Sequence, residues 1–413
     1  MTGAGTATPP CRLCAAPLTT TFLDLGMSPL CENFLRADQL DAGETFYPLH
    51  VRICDECLLV QLPAYVGGEE IFSDYAYFSS YSQSWVEHAR GYAHRMVAEL
   101  GLGPDSLVTE VASNDGYLLR HFVDAGVPVL GVEPAANVGA VARAAGVRTE
   151  TRFLGAESGA ELAERYGRAD LVVANNVYAH IPDLIGFTAG LAALVKPDGL
   201  VTLEFQHLMR LIERNQYDTV YHEHYHYLTL LTAQRALATA GLTVVHVEEL
   251  PSHGGSLRVF ARPAGAPEAA VKELLDAEAA AGLHSVAGHR GFAESVFQVK
   301  RDLVDFLHQA RAEGRRVVGY GAPGKGNTLL NHCAVRADLL EYTVDRNPHK
   351  HGRFLPGTHI PIHHPDRIAA DRPDYVLVLP WNLRKEISLQ LAHIGDWGGR
   401  LVFPIPRLEV VTP

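Results

Sequence analysis

No uninterrupted apolar run among the 413 residues approaches the ~20 needed to cross a bilayer, which argues against a helical membrane anchor. Residues 1–10 show no basic segment followed by an apolar core, so no secretory signal is expected. An excess of positive charge is missing too. Lys and Arg total 35 against 47 Asp and Glu, a formal charge of −12, which suits non-specific nucleic-acid binding poorly. No low-complexity segment stands out, and 47% hydrophobic with 20% charged residues is ordinary globular composition. What is left is a cytoplasmic protein of about two to four domains, an enzyme by its size.

Cysteine is scarce, and its placement is informative. Four of the six cysteines form C-R-L-C (Cys11, Cys14) and C-D-E-C (Cys54, Cys57), with 39 residues between the pairs. Two C-x2-C knuckles suit a tetrahedral zinc ion, and a reducing compartment argues against disulfides. A complete four-thiolate shell leaves no open position for water or substrate, so the ion is expected to be structural. A catalytic zinc or a redox dithiol is the lesser reading. Cys31 and Cys333 have no partner at ligand spacing and read as small buried apolar residues.

Beyond the cysteines, apolar segments alternate between strand and helix patterns. A helix is expected over residues 85–100 and strands over 107–111, 127–132, 169–174 and 200–205, with 191–195 leading into the turn K-P-D-G. Such alternation implies a parallel sheet covered by helices on both faces. Residues 242–247 and 256–261 read as two late strands, a candidate antiparallel edge. After a linker at A-G-A-P (264–267) and a helical stretch, a second strand–loop–helix unit begins at Arg316, with later strands over 342–344, 375–379 and 401–403. The fold class is therefore α/β. The expected division is a zinc-binding domain (1–74), a central Rossmann-like domain (75–285) and a C-terminal α/β domain (286–413).

Ligands of such sheets bind beyond the carboxyl ends of the strands. There the first strand meets the turn A-S-N-D-G, carrying Asn114, Asp115 and Gly116, with Glu110 inside the strand. This turn has no G-x-G-x-x-G phosphate loop, and its acids disfavour a pyrophosphate. They suit a cationic, amino-acid-like ligand. Glu133 ends the next strand 23 residues beyond Glu110, where a carboxylate can take both ribose hydroxyls. These features favour S-adenosylmethionine over NAD. The bland alternative is that Glu110 and Glu133 only cap local backbone.

The densest chemistry lies in Y-D-T-V-Y-H-E-H-Y-H-Y-L-T (217–229), which holds Tyr221, His222, Glu223, His224, Tyr225, His226 and Tyr227. Three readings compete: an H-E-x-x-H metal site, a structural aromatic cluster, and a general acid–base site with an imidazole near its ordinary pKa of ~6.5. The metal reading needs a helix and a third ligand, and the Tyr- and Thr-rich surroundings read poorly as helix. The acid–base reading gains from His180, which follows the 169–174 strand. Two further loops could anchor an anionic substrate. S-H-G-G-S-L-R offers His253, Ser256 and Arg258, and G-A-P-G-K-G-N offers Lys325 and Asn327 at the start of a helix.

Together with L-G-M-S-P-L-C-E-N-F, E-V-A-S-N-D-G-Y-L-L and N-N-V-Y-A-H-I-P-D, these motifs resemble, in tandem order and over nearly the whole chain, the nucleotide-sugar C-methyltransferases of branched deoxysugar biosynthesis for antibiotics. The resemblance implies a zinc domain, a Rossmann-like class I methyltransferase domain and a C-terminal α/β domain. It also implies S-adenosylmethionine as cofactor, one structural zinc on Cys11, Cys14, Cys54 and Cys57, and a dTDP-4-keto-2,6-dideoxysugar substrate. Motif by motif, Gly116, Glu133 and Asn176 match cofactor contacts, joined by Glu110, Asn114 and Asn175. Tyr221, Glu223 and His224 match the active-site tyrosine, carboxylate and base, and His180 and Tyr75 match further active-site positions. Tyr77 contests the Tyr75 position and, with His222, His253, Ser256, Arg258, Lys325 and Asn327, is assigned to substrate. The implied reaction has His224, assisted by Glu223, remove the C3 proton beside the 4-keto group. Tyr221 or His180 would steady the enolate, and the carbon would then take the methyl group. C3, bearing hydroxyl or amine, is favoured over C5. Partners beyond the sugar nucleotide are not expected, and a monomer is favoured. The competing readings are an NAD-dependent sugar-nucleotide oxidoreductase and a zinc-ribbon binding module.

Overall fold

The structure is a computed structural model that describes residues 8–68 and 78–413. Tyr75 and Tyr77 lie outside the described residues. The chain divides into two compact units. The first takes Met1–Thr20, Ile53–Leu208 and Tyr225–Gly288; the second takes Thr21–Arg52, Met209–His224 and His289–Pro413.

The first unit is built on a seven-stranded sheet. From one edge, its strands are Thr243–Leu250, Ser256–Arg262, Val195–Gln206, Ala169–Asn175, Val108–Val111, Val129–Val132 and Thr149–Glu150. The last five pair in parallel. Ser256–Arg262 runs antiparallel to both of its neighbours, so the two late strands do form the antiparallel edge. Val108–Val111 is buried along its whole length, as a strand covered on both faces must be. The K-P-D-G turn differs from its sequence reading. Val195 pairs with Ala169 and Leu200 with Leu171, so residues 196–199 bulge out of one long strand.

Helix Gln83–Leu100 buries Ala89, Tyr92, Ala93 and Met96, a stripe at helical spacing. Ser82 caps its start by accepting the Trp85 N–H at 3.4 Å, and Gly101 at φ 61° closes it. Helices Ala156–Tyr166 and Leu184–Leu194 meet glycine to glycine. A Cβ on Gly159 would stand 2.7 Å from the Gly190 Cα. The sheet order reverses between Val108–Val111 and Ala169–Asn175, and chains leaving such a point in opposite directions open a ligand crevice. Ala112–Gly116 and Asn175–Asn176 occupy that position.

The second unit has a six-stranded sheet: Ile362–His363, Thr343–Val344, Val317–Tyr320, Tyr375–Val378, Arg400–Phe403 and Glu409–Val411. All pairs are parallel except the last. Helix Phe292–Ala312 buries Phe292, Val296, Val299, Leu303, Leu307 and Ala310 along one face. Among the described residues, no helix is long and apolar enough to cross a membrane.

Candidate active site

In the first unit, the two cysteine knuckles converge. The Cys11 and Cys57 sulfurs are 3.4 Å apart, Cys14 and Cys54 3.5 Å, and all four lie within 4.8 Å of one another. Four thiolates around a zinc at ~2.3 Å would sit ~3.8 Å apart, so the cage fits that ion. Two thiolates this close cannot both be charged without a cation between them. The Cys57 thiol pulls Cys11 down to about 4, and Cys11 in turn pushes Cys57 up. Among the described residues this is the sole group of three or more His, Cys, Asp or Glu able to share a metal.

The same unit gathers the expected cofactor residues. Glu133 accepts the Asn114 N–H and the Ala135 N–H, both at 2.9 Å. Asn114 Oδ1 accepts the Ser79 N–H at 2.9 Å and Asp115 Oδ2 the Ser80 N–H at 3.1 Å. Asn114 and Asn176 sit at φ 50° and 52°, turning the chain sharply off the strand ends. Burial raises the Glu110 carboxyl well above its ordinary range, reinforced by Glu133 and Asp115. Glu133 is raised by burial as well. Glu110 Oε2, Asp115 Oδ1, Asn175 Oδ1 and Asn176 Nδ2 are buried without a partner among the described residues. Three of these are acceptors and the Asn176 amide nitrogen is a donor, and buried polar atoms beside crowded acids cost free energy unless they find partners. A ligand carrying a cation, an amino group and ribose hydroxyls meets that demand, so the donor set fits S-adenosylmethionine. Glu133 does cap local backbone, and its remaining lone pairs still leave room for hydroxyl donors.

Gly116 closes the crescent at φ +78°, and a Cβ there would stand 2.9 Å from Val147 Cγ2. Gly116→Ala is therefore expected to cost ~1–3 kcal/mol of stability and to weaken methyl-donor binding. Chemical denaturation and calorimetric titration check this; an unchanged donor Kd would mean the turn does not line the cofactor.

The His-rich run is divided, its part through His224 in the second unit and Tyr225 onward in the first. It is a 3-10 turn at Tyr217–Thr219, a bend and turn, and the short strand His226–Tyr227, not a helix, so the H-E-x-x-H metal reading loses its scaffold. His224 Nδ1 lies 2.7 Å from the Thr219 carbonyl, which can only accept. Nδ1 must carry the proton there, leaving Nε2 as the basic nitrogen. The Tyr221 ring stands 4.0 Å from the His224 ring, centroid to centroid. Glu223 is buried, and its Oε1 takes the Cys31 thiol at 3.8 Å. Burial, with Glu32 nearby, lifts Glu223 to about 8, so it is a neutral acid at neutral pH. His222 faces the Pro48 carbonyl at 3.3 Å. In the first unit, His226 is driven down to about 3 by burial and stays neutral. His180, also there, ends the 3-10 turn Tyr178–His180. Tyr178 is fully buried against Thr188, a structural role.

The residues expected to anchor the substrate are spread over both units. In the first, Arg258 is buried 2.7 Å from Glu204 and lies over the Tyr92 ring at 4.5 Å. Burial alone would raise Glu204, but His88 and Arg258 hold it at about 2. A pyrophosphate at Arg258 would have to compete with that carboxylate. Ser256 donates to the Ser252 carbonyl at 3.0 Å, and His253 lies edge-on to Trp85. In the second unit, Lys325 donates to Asn382 at 3.0 Å near the start of helix Gly324–His332, and Asn327 donates to the Cys31 carbonyl at 2.6 Å. Sequence reasoning missed Glu204, His88 and Gln61. Glu204 alone had a signal, as an acid inside a strand buried throughout that region.

Strand order, acid crescent and thiolate cage together define a methyltransferase with a zinc-binding extension. Comparison with known families agrees. Residues 11–72 match the family described as "Putative zinc binding domain", 85–247 "Methyltransferase domain" and 251–406 "C-methyltransferase C-terminal domain". The C-methyltransferase NovU of Streptomyces niveus is 36% identical over 405 residues, 97% of this chain and 96% of that one. The chain belongs to this family of C-methyltransferases, which are S-adenosylmethionine-dependent. Solved structures similar to part of the chain include magnesium protoporphyrin IX methyltransferase from Synechocystis with bound S-adenosylmethionine. It is 17% identical with a TM-score of 0.33, covering 43% of this chain and 78% of that one. Another is an S-adenosylmethionine-dependent methyltransferase from Clostridium acetobutylicum, 11% identical with a TM-score of 0.36, covering 44% and 92%.

Proposed function

We propose that this enzyme methylates C3 of a dTDP-4-keto-2,6-dideoxysugar, bearing a 3-hydroxy or 3-amino group, in branched deoxysugar biosynthesis. The reading starts from chemistry. A saturated ring carbon beside a ketone becomes a nucleophile toward a methyl group once it has lost its proton. The observation that carries the proposal is the His224 imidazole, whose Nδ1 proton is committed to the Thr219 carbonyl at 2.7 Å, leaving Nε2 to act as base. A ketone beside the carbon acidifies that proton and takes up the negative charge as an enolate. Tyr221, whose ring lies tilted beside that of His224, and His180 are the donors proposed for that oxygen. The neutral Glu223 carboxyl is a third group able to donate.

Glu110, Asn114, Gly116, Glu133, Asn175 and Asn176 are the residues that would hold the cofactor. S-adenosylmethionine held there would supply an electrophilic methyl on a cationic sulfur, leaving as S-adenosylhomocysteine. For the sugar nucleotide we assign Lys325 and Asn327 to the anionic end, with His222, His253, Ser256 and Arg258 as further contacts and Tyr75 and Tyr77 as active-site groups. The three functional parts would be residues 1–74, 75–285 and 286–413. Thiolates kept reduced, with small charged reactants, suit the cytoplasm.

The test is a turnover assay with dTDP-4-keto-2,6-dideoxysugars carrying either C3 substituent. The expected product gains one methyl, placed at C3 by NMR. A methyl at C5, or on oxygen or nitrogen, would refute the assignment.

A further inference from the structure

The zinc cage of the first unit is bonded to the chain that leads out of the His224 loop. Gln61 is fully buried. Its Nε2 donates to Cys11 Sγ at 3.1 Å, and its Oε1 accepts the Arg12 N–H at 3.0 Å. The backbone of the same residue pairs with His226, and that of Val60 with Tyr227. One residue earlier, Tyr225 is held four ways, the first being its N–H, which donates to the Ala179 carbonyl at 2.8 Å. Its carbonyl accepts the Leu62 N–H at 3.0 Å and the Arg12 guanidinium at 3.4 Å. Its ring lies under that guanidinium at 5.3 Å. Its hydroxyl donates to the Val66 carbonyl at 2.8 Å. Tyr225 directly follows His224 in the chain.

We propose that Gln61 is a positioning residue that couples the zinc cage to the catalytic loop. It ties Cys11 and Arg12 to the Val60–Gln61 strand, and through Arg12 and Leu62 it fixes the Tyr225 end of the peptide that carries His224. The inference rests on the reading of His224 as base. An amide donating to a metal-bound thiolate makes a charge-assisted bond, and such outer partners set ligand geometry.

The test uses the full chain loaded with zinc. Gln61→Met removes both side-chain hydrogen bonds while keeping length and bulk. The expected enzyme holds one zinc per chain and binds methyl donor with an unchanged Kd. It loses kcat by about 10–100-fold and releases zinc to a chelator faster by a similar factor. A kcat equal to that of the unsubstituted enzyme overturns the proposal, as does a kcat loss matched by an equal loss of donor affinity. Should the Met variant not fold, Gln61→Glu keeps the shape but turns an acceptor toward the sulfur. It should show the same fall in kcat with donor binding retained, and normal kcat there overturns the proposal equally. Failure of the base reading is separable: His224→Asn with normal turnover would remove that reading, whereas zinc release from Gln61→Met is measured without substrate.

Discussion

His224→Asn lowers kcat by ~10²–10⁴-fold while the methyl donor binds as before. Asparagine can still donate to the Thr219 carbonyl, which His224 Nδ1 reaches at 2.7 Å, so the loop keeps its anchor. What it lacks is a nitrogen able to accept a proton from carbon. Donor binding is expected to survive because Glu110, Asn114, Gly116 and Glu133, and not His224, are the residues proposed to hold the donor. Steady-state turnover and calorimetric titration with S-adenosylhomocysteine measure the two halves separately. A parallel loss of both would mean that the substitution disturbs folding rather than chemistry.

The second large effect concerns the zinc. Changing Cys54 and Cys57 to serine removes half of the thiolate cage and is expected to abolish zinc binding and activity together. Structural zinc contributes ~10–16 kcal/mol to the folding of zinc-finger peptides. A whole domain is stable by only ~5–15 kcal/mol, so this segment has no reserve to replace the ion. The cage also anchors its surroundings directly. Arg235 donates to the Cys57 carbonyl at 2.7 Å, and Gln61 donates to Cys11. Metal analysis, with limited proteolysis over residues 54–66, checks the outcome. A zinc-free double variant that resists protease and turns over normally would show that the ion is dispensable.

The parts legible from sequence were those written in local pattern. The C-x2-C pairs have fixed spacing, and the strand–helix alternation follows apolar periodicity. The antiparallel edge followed from two late apolar runs. The acids around the first turn also stood out, because Glu110 lies within a strand while Asp115 and Glu133 follow strands. The rest depends on contacts between residues far apart. Glu223 meets Cys31 across 192 positions, and no local pattern reveals that this burial makes it a neutral acid. Arg258 reads as a free loop cation, yet it pairs with Glu204, 54 positions earlier in the chain, inside the sheet. Cys31 reads as an inert core residue and is buried, but its neighbour is a carboxyl rather than apolar side chains alone. The K-P-D-G segment has the composition of a turn; strand pairing on either side turned it into a bulge.

Proton removal from carbon can be watched without methyl transfer. In D2O, with S-adenosylhomocysteine filling the donor site, proton NMR of the 4-keto sugar nucleotide reports wash-out of hydrogen at C3. The unsubstituted enzyme should catalyse this exchange, and His224→Asn should not exceed the enzyme-free rate. Exchange by the Asn variant at the rate of the unsubstituted enzyme would contradict the assignment of His224 as the base.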